Sequence, residues 1–171
     1  VEVDANDPYA IADYFAERFL DDARALGLRV VFDAEEFPER MPRPTGYIPH
    51  MIAFIERLID QNHAYVAEDG VVYFDTQSFP DYGRLSGNTI DTIRSGEGGR
   101  VDNMTQQVKK HPADFMLWKP DRQHLMRWDS PWGEGYPGWH IECSTMAIEL
   151  LGEEIDIHSG GEAVSYTHLR A

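Results

Sequence analysis

The pair Asp69-Gly70 constrains this chain more than any other local feature. It stands between two short apolar runs, Ala64-Tyr65-Val66-Ala67 and Val71-Val72-Tyr73-Phe74-Asp75. Glycine reaches the positive φ of a tight reversal without a steric cost. Runs rich in β-branched and aromatic residues on either side of such a turn read as a β-hairpin. The apolar pattern from Ile48, with Ile52, Ile55, Leu58 and Ile59 on one face, is therefore a helix that ends near Asn62.

Upstream of that helix, residues 33–46 carry Pro38, Pro42 and Pro44 and read as a connection. Before it, Asn6 or Asp7 can cap a helix that has Pro8 at its first position. Ile11, Phe15, Phe19, Leu20, Ala23 and Leu26 recur at helical spacing until Gly27, and this aromatic stripe is expected in the core. Residues 1–5 read as the end of a strand.

Downstream of the hairpin, residues 76–111 are polar and rich in glycine, with one helical turn expected at Ile90-Asp91-Thr92-Ile93 and a solvated turn at Lys109-Lys110. The run 114–119 is apolar enough for a buried strand or a short helix. Residues 129–138 read as a rigid loop without regular period. All four tryptophans fall between Trp118 and Trp139. Such a loop either lines a ligand pocket or staples one domain onto another. After Gly138 a helix is expected through Met146, Ala147, Leu150 and Leu151. A strand, Ile155-Asp156-Ile157-His158, follows and leads into Ser159-Gly160-Gly161. The fold class is α/β.

Length and charge narrow the function. A chain of 171 residues holds one domain or one and a half. No apolar run approaches the length of a membrane span, and Val1 opens into polar sequence rather than a signal peptide. The formal charge of −15 argues against nucleic acid, and DNA in particular, as the main partner of this stretch. If a nucleic acid is bound all the same, most of the basic contact surface should lie outside these residues. A single cysteine forms no internal disulfide, which agrees with a reducing, cytoplasmic setting.

That cysteine sits in the string Pro137-Gly138-Trp139-His140-Ile141-Glu142-Cys143-Ser144. Taken alone, a cysteine beside apolar residues is a small core hydrophobe as readily as a ligand, and one cysteine cannot close a zinc site. His158, at the expected strand end, reads as structural or as substrate-facing. Gly160 and Gly161 would let backbone N–H groups approach a phosphate or ribose, as at strand ends in open α/β sheets.

The full string through Gly161 resembles the corresponding segment of cysteinyl-tRNA synthetases. So do, in order, Ala64-Tyr65-Val66-Ala67, Val72-Tyr73-Phe74-Asp75, Asp81-Tyr82-Gly83-Arg84-Leu85-Ser86-Gly87, Pro112-Ala113-Asp114-Phe115, and the run from Trp128 to Gly133. The resemblance covers about residues 44–161. It implies a connective-peptide insertion over residues 6–127 within a Rossmann-like class I synthetase catalytic domain. Residues 1–5 would be the tail of the first catalytic half and residues 128–161 the opening of the second. It implies activation of cysteine with ATP to cysteinyl adenylate and transfer to cognate tRNA, with zinc reading the substrate thiol. Cys143 matches the family's ligand cysteine, Trp139 the wall of the amino-acid pocket, and His158 a histidine at the strand beneath it.

Departures accompany the match. The HIGH-type motif and a further ligand cysteine are expected before Val1, and the KMSKS-type loop beyond Ala171, so the 171-residue chain alone is expected to be inactive. Ser159 replaces a family glycine. Residues 162–171 lack the family's ligand neighbourhood and read as an atypical, non-native tail, which makes His168, 25 residues after Cys143, a coincidence of register. Two rival readings stand beside it: the related mycothiol-pathway cysteine ligase, and a non-catalytic module derived from a synthetase.

Overall fold

The computed structural model describes residue 4, residues 6–84 and residues 108–157 of the chain. It divides into two compact units, Val1–Gly46 and Tyr47–Ala171.

In the first unit, helix α1 spans Pro8–Ala25. Asp7 caps it as the sequence predicts: Oδ1 accepts from the amides of Tyr9 at 2.9 Å and Ala10 at 3.2 Å. The helix stops at Gly27, whose φ of +68° suits glycine, and the amide of Leu28 closes back onto the Ala23 carbonyl at 2.9 Å. Helix α2, Arg29–Glu36, follows at once. It occupies residues that the sequence had placed partly in a proline-rich connection, because the prolines begin only at Pro38. Arg24 ties the helices together through Glu35 at 2.7 Å. Ala23 and Val31 are buried, whereas Phe15, Phe19 and Phe32 are exposed, so the aromatic stripe of α1 is not core within the described structure. Eight residues of α2 rise about 12 Å, too short to cover an 18-residue neighbour.

The second unit is built on a four-stranded sheet in the order β1-β2-β3-β4, antiparallel throughout. Its strands are β1 (Ala64–Val66), β2 (Val72–Phe74), β3 (Phe115–Pro120) and β4 (Gly135–Pro137). The predicted hairpin forms with Ala64 opposite Phe74 and Val66 opposite Val72, and Gly70 has a φ of +82°. Helix α3, Ile48–Asp60, precedes it and buries Ile48, Met51 and Ile55, spaced three and four residues apart. Asn62, at φ +59°, provides the reversal at its end, where the His63 amide reaches the Leu58 carbonyl at 2.8 Å.

The run 114–119 resolves as strand β3, with Leu117 and Trp118 almost fully buried. The aromatic loop, expected to be irregular, contains strand β4. Three residues that begin with glycine and end with proline give no period to read, and the strand exists because β3 offers a ladder beside it. Helix α4, Ile141–Leu151, follows and buries Ile141 and Thr145. Ile48, Met51, Ile55, Ala64, Val72, Leu117, Trp118 and Ile141 form one core joining α3, the sheet and α4.

The described part of the expected strand after α4, residues 155–157, is not a strand, and Ile157 is exposed. It pairs with none of the described strands. The described sheet is thus antiparallel, and a parallel Rossmann-like order is not part of it. The expected strand at residues 1–5 and the turn at residues 90–93 fall almost wholly outside the described residues. No described helix is long and apolar enough to cross a membrane.

Candidate functional site

The tryptophans separate by burial. Trp118 is completely buried, its Nε1 donating to the Gly133 carbonyl at 3.3 Å, and the Trp132 ring lies tilted against it, 6.1 Å between ring centres and 54° between planes. Trp128 packs on the same core and pairs through its backbone with Gly135, N–H to carbonyl at 2.8 and 3.0 Å. These three staple the loop to the sheet. Trp139 is 58 % exposed. The loop's remaining polar contacts make it rigid: Ser130 Oγ donates to the Gly133 carbonyl at 2.7 Å, and Arg127 Nε meets Glu134 at 2.6 Å.

Two glycines bring β4 against β3. A Cβ on Gly135 would stand 2.0 Å from the Lys119 carbonyl oxygen, and one on Gly138 would stand 1.9 Å from that of Met116. Neither leaves room for a side chain. The Gly138 amide donates to the Leu117 carbonyl at 2.8 Å, so the chain is pinned to β3 immediately before Trp139. His140 then takes a left-handed conformation, φ +75°, uncommon outside glycine and asparagine, and its carbonyl accepts from the Ser144 amide at 3.0 Å to start α4.

Cys143 lies in the first turn of α4 and is exposed. Thr145, two residues on, faces inward, as a 100° advance per residue requires. Desolvation by the protein around the sulfur still pushes the Cys143 thiol above its ordinary value, and the Glu142 carboxylate adds to the shift. The group is therefore protonated at neutral pH, and a metal would have to displace that proton. A cleft of about 320 Å³ between α3 and α4 is lined by His50, Phe54, Arg57, Thr145 and Glu149, on the side of α4 turned away from Cys143.

Of the residues read from sequence, the structure brings Trp139 and Cys143 to one end of α4, both exposed. His158, Gly160, Gly161 and His168 lie outside the described residues. A zinc ion fits this chemistry in one respect: Cys143 offers an accessible sulfur donor. Among the described residues no three His, Cys, Asp or Glu side chains come together to hold a metal, so the described part supplies one ligand of a set.

Residues 4–170 match the family of class I (C) tRNA synthetase catalytic domains. The chain belongs to that family. It is 45% identical over 159 residues, 93% of its length, to a cysteine–tRNA ligase of Alkalilimnicola ehrlichii. It is 47% identical over 163 residues to one of Chlorobaculum tepidum, covering 95% of this chain, and 50% identical over 161 residues to one of a Jannaschia species, covering 92%. The shares of those proteins matched are 32%, 31% and 33%, so the chain spans about one third of the length of the curated relatives it matches. The family match runs into the stretch 162–171 read above as atypical.

Sequence reasoning gives no structural role to three residues of this region that the fold uses: Gly135, Gly138 and Asp114. Gly135 and Gly138 were read as loop glycines, and the pairing of each with a β3 carbonyl becomes visible only once β4 is known. Asp114 stands in one of the matching strings, where nothing in the string itself assigns it a role. Its position directly before an apolar run was the available signal.

Proposed function

We propose that this chain is part of a cysteine–tRNA ligase. In that protein cysteine and ATP give cysteinyl adenylate and pyrophosphate, and the cysteinyl group then passes to the terminal ribose of the cognate tRNA with release of AMP. The observation that carries the reading is local. Trp139 and Cys143 stand exposed at one end of α4, on a strand-pinned turn, while the other three tryptophans serve the core. The names of the relatives support tRNA rather than an amino sugar as the acceptor.

In this reading Trp139 walls the side-chain pocket and Cys143 contributes one zinc ligand. Zinc, when bound, prefers a thiolate to a hydroxyl and so separates cysteine from serine without an editing step. His158 orients substrate, and Gly160 and Gly161 admit the backbone to the nucleotide. Residues 6–127 are assigned to the connective-peptide insertion and residues 128–161 to the second part of a Rossmann-like catalytic domain. Setting is assigned as cytoplasmic, and activity to a protein of the relatives' length.

The test is ATP–pyrophosphate exchange by the full-length protein that contains this chain. Exchange that depends on cysteine and is at least about a hundred-fold weaker with serine is the expected result. Exchange indifferent to the amino acid, or an amino sugar accepting cysteine in place of tRNA, would overturn the reading.

A further inference from the structure

Asp114 is a carboxylate with 2 % exposure that the proposed chemistry does not use. It gathers four donors. Oδ1 accepts from the Thr76 amide at 2.9 Å and the Thr76 hydroxyl at 2.8 Å. Oδ2 accepts from the Tyr65 hydroxyl at 2.8 Å and the His111 amide at 3.0 Å. Tyr65 Oη in turn accepts from the Lys110 amide at 2.8 Å, and Lys110 Nζ lies 3.5 Å from Asp75. A buried carboxylate is costly unless it is bonded in this way, and removing one partner strands the others.

The three segments so joined are β1, Thr76 two residues past the end of β2, and the residues just before β3. Asp114 therefore fixes both ends of the connection from β2 to β3 and sets where β3 begins. Two and three residues further on are the backbone carbonyls of Met116 and Leu117. These are the groups against which Gly138 is seated, one by close approach and one by a hydrogen bond. Trp139 comes next.

We propose that Asp114 is a positioning residue for the Trp139–Cys143 end of α4, acting through the start of β3 on the seat of Gly138. The inference rests on the cysteine–ligase reading for its functional consequence but not for its structural one. Asp114→Asn keeps the size of the side chain and leaves one acceptor oxygen for four donors. Tyr65→Phe removes a single donor and leaves the Thr76 and His111 bonds in place.

In the full-length ligase, Asp114→Asn should raise the KM for cysteine about three- to ten-fold, with the KM for ATP unchanged, as a small misplacement of one pocket wall would. Peptide-resolved hydrogen exchange should show the Gly138 amide exchanging about ten-fold faster while the amides of α3 keep their protection. Tyr65→Phe should speed exchange at Lys110 and leave Gly138 protected. An Asp114→Asn protein with normal Gly138 protection would overturn the proposal, making Asp114 a local tie. Loss of protection throughout α3 would also overturn it, making the effect one of global stability. A wild-type protein without cysteine-dependent exchange would refute the functional reading instead, and the Gly138 protection pattern would still decide this one.

Discussion

At the scale of single residues, Gly138 is the most sharply determined position. The Cβ of an alanine there would meet the Met116 carbonyl oxygen at 1.9 Å, and that oxygen belongs to the central strand β3, which cannot yield cheaply. Gly138→Ala should therefore cost roughly 3 kcal/mol or more of unfolding free energy, as overpacking against backbone does, measured by denaturant titration. A loss under about 1 kcal/mol would mean that β3 and β4 separate more easily than their pairing indicates. Nothing local in Pro137-Gly138-Trp139 announces this, because the clash is with a residue 22 positions earlier. The exposure of Cys143 was equally illegible: the Met146, Ala147, Leu150 and Leu151 pattern locates the helix, but which face is buried depends on α3.

Elements were legible in proportion to their local signals. The hairpin, α3 with its Asn62 stop, and the Asp7 cap of α1 follow from turn and capping chemistry carried by the residues themselves. Helix α2 and strand β4 were missed because they are short and owe their existence to neighbours. The sheet also makes a pH prediction. Burial raises the ionisation of Tyr73 to about 12 and raises those of Tyr65 and Tyr82 as well. Each phenol is thus held protonated in the fold more strongly than in the unfolded chain, where it ionises near 10. Their contribution is complete below about pH 10 and is lost as pH rises through the folded-state values. The melting temperature should accordingly fall steeply between about pH 10 and 12, and Tyr73→Phe should flatten that fall. A melting curve insensitive to pH in that window would show that these tyrosines are not buried in solution.

For the whole molecule, the sequence resemblance anticipated the family that the comparisons show, while the structure divides the described chain at Gly46 and joins residues on both sides of position 127 in one sheet. Such long-range pairing between β3 and β4 is a tertiary event that no local window reports. The central claim concerns Cys143, and zinc content with amino-acid discrimination in the full-length ligase tests it most directly. Cys143→Ser replaces a thiol by a hydroxyl of similar size at an exposed position, so the fold should survive. With Cys143 as a zinc ligand, as proposed, its loss should remove zinc and reduce cysteine-dependent pyrophosphate exchange by at least about a hundred-fold. A Cys143→Ser protein that keeps full zinc and activates cysteine normally, with serine still refused, would contradict the account.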